Sequence, residues 1–387
     1  FAQNNLIILR KRGIFAKKIS MAKYIYQHEN WTNFVWNEDK IRDLFGEVKY
    51  LQGKLNGIMN TIGFSQKEEI LLNTFTFDIL KSSEIEGELL NYDQVRSSIA
   101  RRLGIETAGL VPSARNIEGI VEMMLDATQR YENPLTEERL FGWHNALFPS
   151  GYSGAYKIDV ACYRKDEMQV VSGAMGKEKV FYEAIPQAHV KQEMDKFLNW
   201  LNTDFSIDNI LKAAIAHFWF IIIHPFDDGN GRIARTITDM QLARAEKSSQ
   251  RFYSLSSQIL VEKKAYYEVL QKVQWNTNND ITDWLTFFLN CMINALLSSE
   301  RVTSHILLKA KFWTKHEHTL INERQRLVLN KLLDGDFVGN LQSSKWAKIC
   351  KCSQDTAIRD IKDLIYKGVL QQEEGGGRNT NYKLSEP

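Results

Sequence analysis

The stretch IIIHPFDDGNGRIAR (residues 221–235) joins two segments of helical character through a short polar turn. Aliphatic residues precede His224, and Gly229, Asn230 and Gly231 interrupt the helical pattern before it resumes. The sequence therefore predicts a buried helix that ends at a histidine, followed at once by a second helix. This connection between two helices determines how the central part of the chain folds.

The start of the second helix has the features of an anion-binding site. The first N–H groups of a helix lack partners within it, and the helix dipole is positive there. Arg232 and Arg235 lie about one turn apart, where both guanidinium groups can hold phosphate oxygens. Asp228 can bind Mg²⁺ together with such oxygens, and His224 can act as a general base beside them. This combination is typical of phosphoryl or nucleotidyl transfer.

Each of these features also has a purely structural interpretation. A histidine on an apolar helix is more often a satisfied core residue, and we expect this of His217, two turns before His224. A Gly-Asn-Gly segment is usually a turn, and two arginines on a helix are usually solvated. Their order and spacing within residues 224–235 make an ordinary corner the less favoured interpretation.

Residues 224–235 resemble the signature of the Fic (filamentation induced by cAMP) family, H-P-F-x-[DE]-G-N-G-R-x-x-R, with Asp227 in the variable position. The resemblance extends over roughly residues 113–298, where SGAYKIDVACYR and DITDWLTFF are similar to flanking segments of the family. It implies a helical fold with a short β-hairpin flap. It also implies transfer of AMP from ATP to a Ser, Thr or Tyr hydroxyl of a target protein, with self-modification expected.

The resemblance further implies a role for each residue of the motif. His224 deprotonates the target hydroxyl, Asp228 holds Mg²⁺, and Arg235 pairs with the γ-phosphate of ATP. The ATP phosphates are cradled by the residues at the helix start: Gly229, Asn230, Gly231 and Arg232.

Gly231 bears on the choice between related reactions. It stands where phosphotransferring relatives carry a lysine, which favours adenylylation over kinase-like chemistry. Removal of AMP by the same residues, with Glu86 positioning a water molecule, remains an alternative.

The segment KSSEIEGE (residues 81–88) resembles an inhibitory motif of the family, [ST]-x-x-x-E-[GN], with Ser82, Glu86 and Gly87 in the specified places. The implied mechanism is an ion pair between Glu86 and Arg235, which removes the guanidinium group that would orient the γ-phosphate. The alternative is an acidic helix end that needs only solvent or a nearby partner.

Two segments of strand character, MQVV and KVFY, flank SGAMGKE and predict a hairpin around residues 168–182. An exposed strand edge at 168–171 or at 179–182 could bind an extended target segment through main-chain hydrogen bonds and bring its side chain to His224. The predicted docking residues are Met168, Gln169, Val170 and Val171. A hairpin that only covers the core is an equally favoured interpretation.

Helical periodicity predicts a mainly α protein, with a Fic-type helical core, the hairpin flap and a C-terminal winged helix-turn-helix. The predicted helices lie at 39–59, 66–86, 92–103, 113–131, 136–147, 187–202, 208–223, 231–246 and 263–298. Met21 is expected to be the biological start, with residues 1–20 an upstream extension. The predicted regions that follow are an N-terminal helical region with the inhibitory helix at 21–105, a Fic core at 106–300, a linker helix at 301–321 and the tail at 322–387.

The tail, residues 322–387, shows three helical segments followed by a glycine-rich hairpin, an order that resembles a winged helix-turn-helix. It contains eleven basic and nine acidic residues, and its second helix pair includes Asp355, Asp360 and Asp363. Carboxylates repel phosphates, so docking of a protein is favoured over binding of DNA. A DNA-binding regulator with a secondary Fic core is the alternative function.

Composition excludes little beyond disordered, fibrous and membrane-spanning classes. The net charge of +2 is too balanced to indicate nucleic acid or membrane binding, and the run Ala213–Ile223 is too short for a bilayer. The four cysteines include no C-x-x-C pair, so free thiols in the cytoplasm are expected. A homodimer is among the expected assemblies, and ATP and Mg²⁺ are the expected substrate and cofactor.

Overall fold

The computed structural model describes residues 6–11, 24–106, 109–172, 179–276, 278–333, 337, 339–373 and 380–385. The chain divides into two compact units, Phe1–Leu297 and Ser298–Pro387. None of the described helices combines the length and the apolar character needed to cross a membrane. All four cysteines are free thiols, as the sequence predicts.

Helices make up most of the first unit. They are α1 Glu38–Thr61, α2 Phe64–Ile85, α3 Tyr92–Leu103, α4 Arg115–Gln129, α5 Glu137–Leu147, α6 Gln187–Thr203, α7 Asn209–Ile223, α8 Asn230–Glu246, α9 Leu255–Val261, α10 Lys263–Gln274 and α11 Thr282–Lys315, the last of which continues into the second unit. A short 3₁₀ helix lies at Ile25–Gln27. The mainly α fold is therefore confirmed.

The prediction of one continuous helix over 263–298 is wrong, because α10 ends at Gln274 and α11 begins only at Thr282. Asn279 adopts the left-handed conformation with φ +57°. The carboxylate of Asp280 accepts a hydrogen bond from the Thr282 N–H at 2.8 Å and starts the new helix. The short helix α9 was not predicted, since its few residues give too weak a periodic signal.

Helix α7 forms the centre of the first unit. Every residue from Ile210 to Ile223 is buried, as predicted for a core helix. The indole N–H of Trp284 on α11 donates to the carbonyl of Ala214 at 2.8 Å, which fixes α11 against α7. His217 is hydrogen-bonded on both ring nitrogens, to Thr238 and Tyr266 at 2.9 Å each, so it is the satisfied core histidine that the sequence predicts. The end of α7 is thereby a rigid platform.

The β structure exceeds the single hairpin that the sequence predicts. Strands β1 Leu6–Lys11, β4 Glu167–Ser172 and β5 Lys179–Glu183 form an antiparallel sheet in the order β1-β4-β5, and β2 Tyr152–Ser153 pairs with β3 Tyr156–Lys157. The predicted hairpin around residues 168–182 is confirmed as β4 and β5, whereas the prediction that it is the single β element of the main body is wrong. Strand β1 and the two-residue strands have no alternating pattern long enough to be recognised.

The second unit contains three helices and a hairpin besides the end of α11. The helices are α12 Glu323–Leu333, α13 Ser343–Cys350 and α14 Gln354–Tyr366, and the antiparallel strands are β6 Leu370–Gln372 and β7 Tyr382–Leu384. Its core surrounds the fully buried Trp346 and includes Phe312 near the end of α11. Phe312, which falls in the region predicted as a linker, thus belongs to the core of this unit.

Candidate functional site

His224 follows the last residue of α7 and has a left-handed backbone, with φ +48° and ψ +60°. Its N–H donates to the Phe220 carbonyl at 3.0 Å, and its own carbonyl accepts from Nε of Arg164 at 2.9 Å. A left-handed conformation costs a residue with a Cβ roughly 1–2 kcal/mol. The surrounding hydrogen bonds offset this cost, and they hold the imidazole in one place.

The imidazole of His224 is present as a free base. Nδ1 lies 3.2 Å from the Ile221 carbonyl, which can only accept, so this nitrogen carries the proton. Nε2 is buried and has no hydrogen-bond partner among the described residues. Burial lowers the pKa of His224 to about 4, and the positive charge of Arg164 acts in the same direction. Nε2 is therefore unprotonated at neutral pH and can accept a proton.

The loop between α7 and α8 is closed by side chains of the motif itself. The amide of Asn230 accepts from the Phe226 N–H at 2.9 Å and donates to the Phe226 carbonyl at 2.8 Å. Asp227 accepts from the Asp159 N–H at 2.9 Å. The side chains of Asn230 and Asp227 are thus occupied in shaping the loop, and at Asn230 the backbone N–H at the helix start is the group that can face a phosphate.

His144 on α5 supports this loop from the opposite side. Its ring is stacked on Phe226 with centroids 4.2 Å apart, and Nε2 lies 3.2 Å from the Asp228 carbonyl. Nδ1 accepts from the Ala161 N–H at 3.2 Å. Burial lowers the pKa of His144 to about 4, so it stays neutral with its proton on Nε2. Sequence reasoning did not single out His144, because a lone histidine on an amphipathic helix carries no specific signal.

The carboxylate of Asp228 is held in place by two hydrogen bonds. Oδ1 accepts from the Gly229 N–H at 2.5 Å, and Oδ2 accepts a hydrogen bond from the hydroxyl of Ser153. No group of three or more metal-binding side chains occurs among the described residues. A single half-buried carboxylate fits Mg²⁺, which commonly takes one or two carboxylates and completes its shell with phosphate oxygens and water.

Two glycines allow close approach to the start of α8. Gly229 has φ +81°, and a Cβ on it would lie 2.9 Å from Phe148. A Cβ on Gly231 would lie 2.1 Å from Oε1 of Glu86. A larger residue at 231 would therefore collide with Glu86, which stands over the first turn of α8.

The end of α2 also contacts Arg235, in the second turn of α8. Arg235 donates from Nε to the Ser82 hydroxyl and from Nη2 to the Ser82 carbonyl, both at 2.8 Å. Nη2 also lies 2.8 Å from Oε1 of Glu86. Gly87 has φ +86°, and this reversal ends the helix. Ser82 and Glu86, two of the three residues singled out in KSSEIEGE, thus contact Arg235, and Glu86 is the one that the resemblance pairs with this arginine.

Arg164 connects His224 to the base of the flap. Besides the His224 carbonyl, its guanidinium donates to the carbonyls of Asp166 and Ile185, which lie just before β4 and just after β5. Arg164 is 1% exposed, so this connection is buried. The sequence offered one signal for it, the quoted segment SGAYKIDVACYR, which ends at this arginine.

The predicted docking edge is not free along β4. Met168, Gln169, Val170 and Val171 pair with β1 on one side, and β4 pairs with β5 on the other. Met168 and Gln169 are also buried, at 2% and 7% exposure. Among the described strands of this sheet, the edge left open on the flap belongs to β5.

Comparisons with known proteins match two regions of the chain. Residues 134–242 match the model of the Fic/DOC family, and residues 24–105 match a domain of unknown function (DUF4172). The "Protein adenylyltransferase fic-1" of Caenorhabditis elegans is 35% identical over 66 residues, which are 16% of this chain and 13% of that protein. The "Probable protein adenylyltransferase aq_aa38" of Aquifex aeolicus is 28% identical over 182 residues, 46% of this chain and 53% of that protein.

Among solved structures, the chain matches that of a Fic family protein from Desulfovibrio desulfuricans G20, with a TM-score of 0.49 and 18% identity. The alignment covers 90% of this chain and 96% of that one. The chain spans 13% and 53% of the lengths of the two curated relatives named above. The family model that residues 134–242 match is thus that of Fic/DOC, and the two curated relatives are named protein adenylyltransferases.

Proposed function

We propose that the protein is an autoinhibited, Mg²⁺-dependent protein adenylyltransferase that moves AMP from ATP to a hydroxyl side chain. The observation that carries the proposal is a buried, unprotonated Nε2 of His224 on the loop that leads directly into the start of α8. A proton acceptor and an anion-binding helix start are thereby joined by one short, rigid loop. The names of the curated relatives agree with this chemistry.

The transfer step follows from this arrangement. Nε2 of His224 takes the proton of the target hydroxyl, whose oxygen forms a bond to the α-phosphorus of ATP. The bond from the α-phosphorus to the bridging oxygen breaks, and pyrophosphate leaves with the electron pair. The N–H groups at the start of α8 and the guanidinium groups of Arg232 and Arg235 hold the phosphate oxygens.

Asp228 is the residue that would hold Mg²⁺, with Ser153 and the Gly229 N–H fixing its carboxylate. The bound ion would neutralise charge on the phosphates of ATP. The side chains of Asp228 and His224 flank the same loop, so nucleotide and target hydroxyl would meet above it.

Autoinhibition is supported by the contact of α2 with Arg235. Oε1 of Glu86 stands 2.8 Å from Nη2 of Arg235, so a phosphate must displace a carboxylate to use this guanidinium. In this state ATP could bind, but its γ-phosphate would lack the partner that orients it. Removal of AMP is the second reaction that the same groups could support, since Glu86 stands where it could orient water.

Target docking is proposed at the flap. An extended target segment can pair with the open edge of β5, or with β4 after displacement of residues 6–11. Either mode brings a hydroxyl side chain toward His224, because Arg164 ties both ends of the flap to the His224 carbonyl.

The decisive experiment uses ATP labelled at the α-phosphate or at the γ-phosphate, with Mg²⁺, the purified chain and a cell lysate. We expect label on protein from α-labelled ATP only, with an added mass of AMP on a Ser, Thr or Tyr residue. Transfer from γ-labelled ATP would indicate a kinase instead. Loss of AMP from a previously modified target would establish removal.

For the tail we propose a winged helix-turn-helix, based on three helices followed by a hairpin. Asp360 pairs with Arg324 and Asp363 pairs with Lys367, so both acids are neutralised within the unit. The exposed residues of α14 are then Gln354, Asp355, Arg359, Lys362 and Tyr366.

With Asp360 and Asp363 neutralised, α14 is better suited to DNA binding than the nearly equal numbers of basic and acidic residues in the tail suggest. Fluorescence anisotropy of a labelled duplex at two salt concentrations tests the alternative directly. If α14 contacts phosphates, the double variant Arg359→Gln/Lys362→Gln should weaken binding and reduce its salt dependence. Equal binding by the variant would favour a protein-docking tail.

A further inference from the structure

Glu88 makes a second contact between the end of α2 and the start of α8. Its Oε2 lies 2.6 Å from Nη1 of Arg232, the other arginine of the motif. The two arginines of the motif are therefore each paired with a carboxylate from the same turn, Glu86 on Arg235 and Glu88 on Arg232. Two carboxylates that are ion-paired with two guanidinium groups resemble the charge pattern of a bound polyphosphate.

The position of Glu88 is determined by the backbone and not only by the rotamer of its side chain. The Glu88 N–H donates back to the Ser83 carbonyl at 3.0 Å, and Gly87 between the two glutamates has φ +86°. This left-handed step, which glycine adopts at little cost, turns the chain back so that residues 86 and 88 both reach α8.

Arg232 retains binding capacity that the protein does not use. It is 7% exposed, and its guanidinium lies over the Phe148 ring, 5.0 Å from the centroid. Its Nε is buried without a hydrogen-bond partner among the described residues. A buried, unsatisfied donor on an ion-paired arginine indicates a position prepared for an anion with more oxygens than one carboxylate supplies.

We propose that Glu88 is a second inhibitory residue, which holds Arg232 against phosphate as Glu86 holds Arg235. The inference rests on the proposed function, since it assigns Arg232 to the phosphates of ATP. It predicts that Glu88 lowers the affinity for ATP, because the carboxylate and the phosphate compete for one guanidinium group.

The test compares Glu88→Gln with Glu84→Gln in the full chain, using isothermal titration calorimetry with ATP and Mg²⁺. Glu84 is the matched control: it lies on the same helix end, pairs with Lys81, and has a side chain 36% exposed against 37% for Glu88. Both variants remove one negative charge, so any general effect of charge is the same. Because Glu88 is partly exposed, we expect it to behave between a surface pair and a charge-assisted bond, and Glu88→Gln to bind ATP about 3- to 10-fold more tightly than Glu84→Gln.

A test in an Arg232→Ala background shows whether the effect of Glu88 depends on Arg232. In an Arg232→Ala background the Glu88→Gln change should no longer alter ATP affinity, as a double-mutant cycle would show. Equal ATP affinity for Glu88→Gln and Glu84→Gln, with both folded by circular dichroism, would overturn the proposal. So would a gain that persists without Arg232.

The binding readout also separates this inference from the proposed function. Tighter ATP binding without any AMP on protein would support the Glu88 contact while rejecting adenylyl transfer. AMP transfer with no difference between the two glutamine variants would support the enzyme and reject the second inhibitory residue.

Discussion

Nη2 of Arg235 lies 2.8 Å from Oε1 of Glu86, so a carboxylate of the chain stands on the guanidinium group proposed for the γ-phosphate. Arg235 is 3% exposed, and its other contacts to Ser82 keep it in this position. The guanidinium group proposed to bind a phosphate is thus already paired with a carboxylate of the same chain.

Replacement of Glu86 by glycine should therefore accelerate transfer of AMP. A charge-assisted contact of this kind contributes about 1.5–3 kcal/mol, which corresponds to a roughly 10- to 100-fold change. Initial rates of AMP incorporation from α-labelled ATP measure the effect. Equal rates for the wild type and Glu86→Gly would mean that the contact is structural only.

The effect of Glu86 should depend on Arg235. In an Arg235→Ala background we expect Glu86→Gly to change the rate very little, because its partner is already gone. The four proteins of this cycle need only one assay. A full acceleration in the absence of Arg235 would assign inhibition by Glu86 to some other contact, such as its position over Gly231.

Replacement of His224 by alanine should abolish transfer and leave nucleotide binding intact. Removal of a general base typically costs about 10²–10⁴-fold in rate, whereas the phosphates are held by other groups. Calorimetric titration with ATP serves as the control for folding and binding. Near-normal transfer by His224→Ala would exclude its role as the base.

The rate should also depend on pH in a way set by the burial of His224. Burial lowers its pKa to about 4, so the imidazole is unprotonated above that pH and becomes protonated as the pH falls through it. We expect the acid limb of kcat/KM near pH 4–5, well below the ordinary value of 6.5. An acid limb of kcat/KM at pH 6.5 in the wild type, absent from a His224 variant whose activity is restored by an added base, would contradict this environment.

Ser153 should tune the metal dependence that we propose for Asp228. Residues that orient a metal ligand typically contribute about 10- to 100-fold to metal affinity. Ser153→Ala is therefore expected to raise the Mg²⁺ concentration needed for half-maximal ATP binding, whereas Asp228→Ala should remove the dependence. Unchanged Mg²⁺ titrations for both variants would count against a metal at this carboxylate.

A buried ionic cluster couples α2 to α8, and its loss should destabilise the fold. Arg251 lies between Asp78 of α2 and Asp239 of α8, with all three side chains at most 3% exposed. Arg251→Met would leave two buried carboxylates unpaired, which costs about 3–5 kcal/mol in free energy of unfolding.

The loss of stability in Arg251→Met should depend on pH with a definite sign. Burial raises the pKa of Asp239 to about 7 even with Arg251 present, and removal of the arginine raises it further. The folded variant then binds more protons than the unfolded chain, so its deficit is largest near pH 8 and shrinks toward pH 5. Urea titrations at the two pH values measure this, and a deficit independent of pH would contradict a protonation of Asp239.

The sequence by itself determined the elements whose causes are local. The apolar run before His224 predicted the buried helix, and Gly229 to Gly231 predicted the turn and the new helix, because burial patterns and glycine conformations act over a few residues. The resemblance at 224–235 and at 81–88 named the two segments that meet. The helix break at 275–281 also has a local cause, because residues 276–280, NTNND, are a polar cluster typical of a loop, and the prediction of one helix over 263–298 gave it too little weight.

Only the tertiary structure decided which groups face one another across the chain. Glu86 and Arg235 are 149 positions apart, Glu88 and Arg232 are 144 apart, and Ser153 reaches Asp228 across 75. Such contacts depend on how α2 and the segment around Ser153 pack against α8 and the loop before it, and packing is set by the fit of whole surfaces rather than by spacing along the chain. For the same reason the residues that support His224, Arg164 foremost, carried little signal of their own until the fold brought them beneath it.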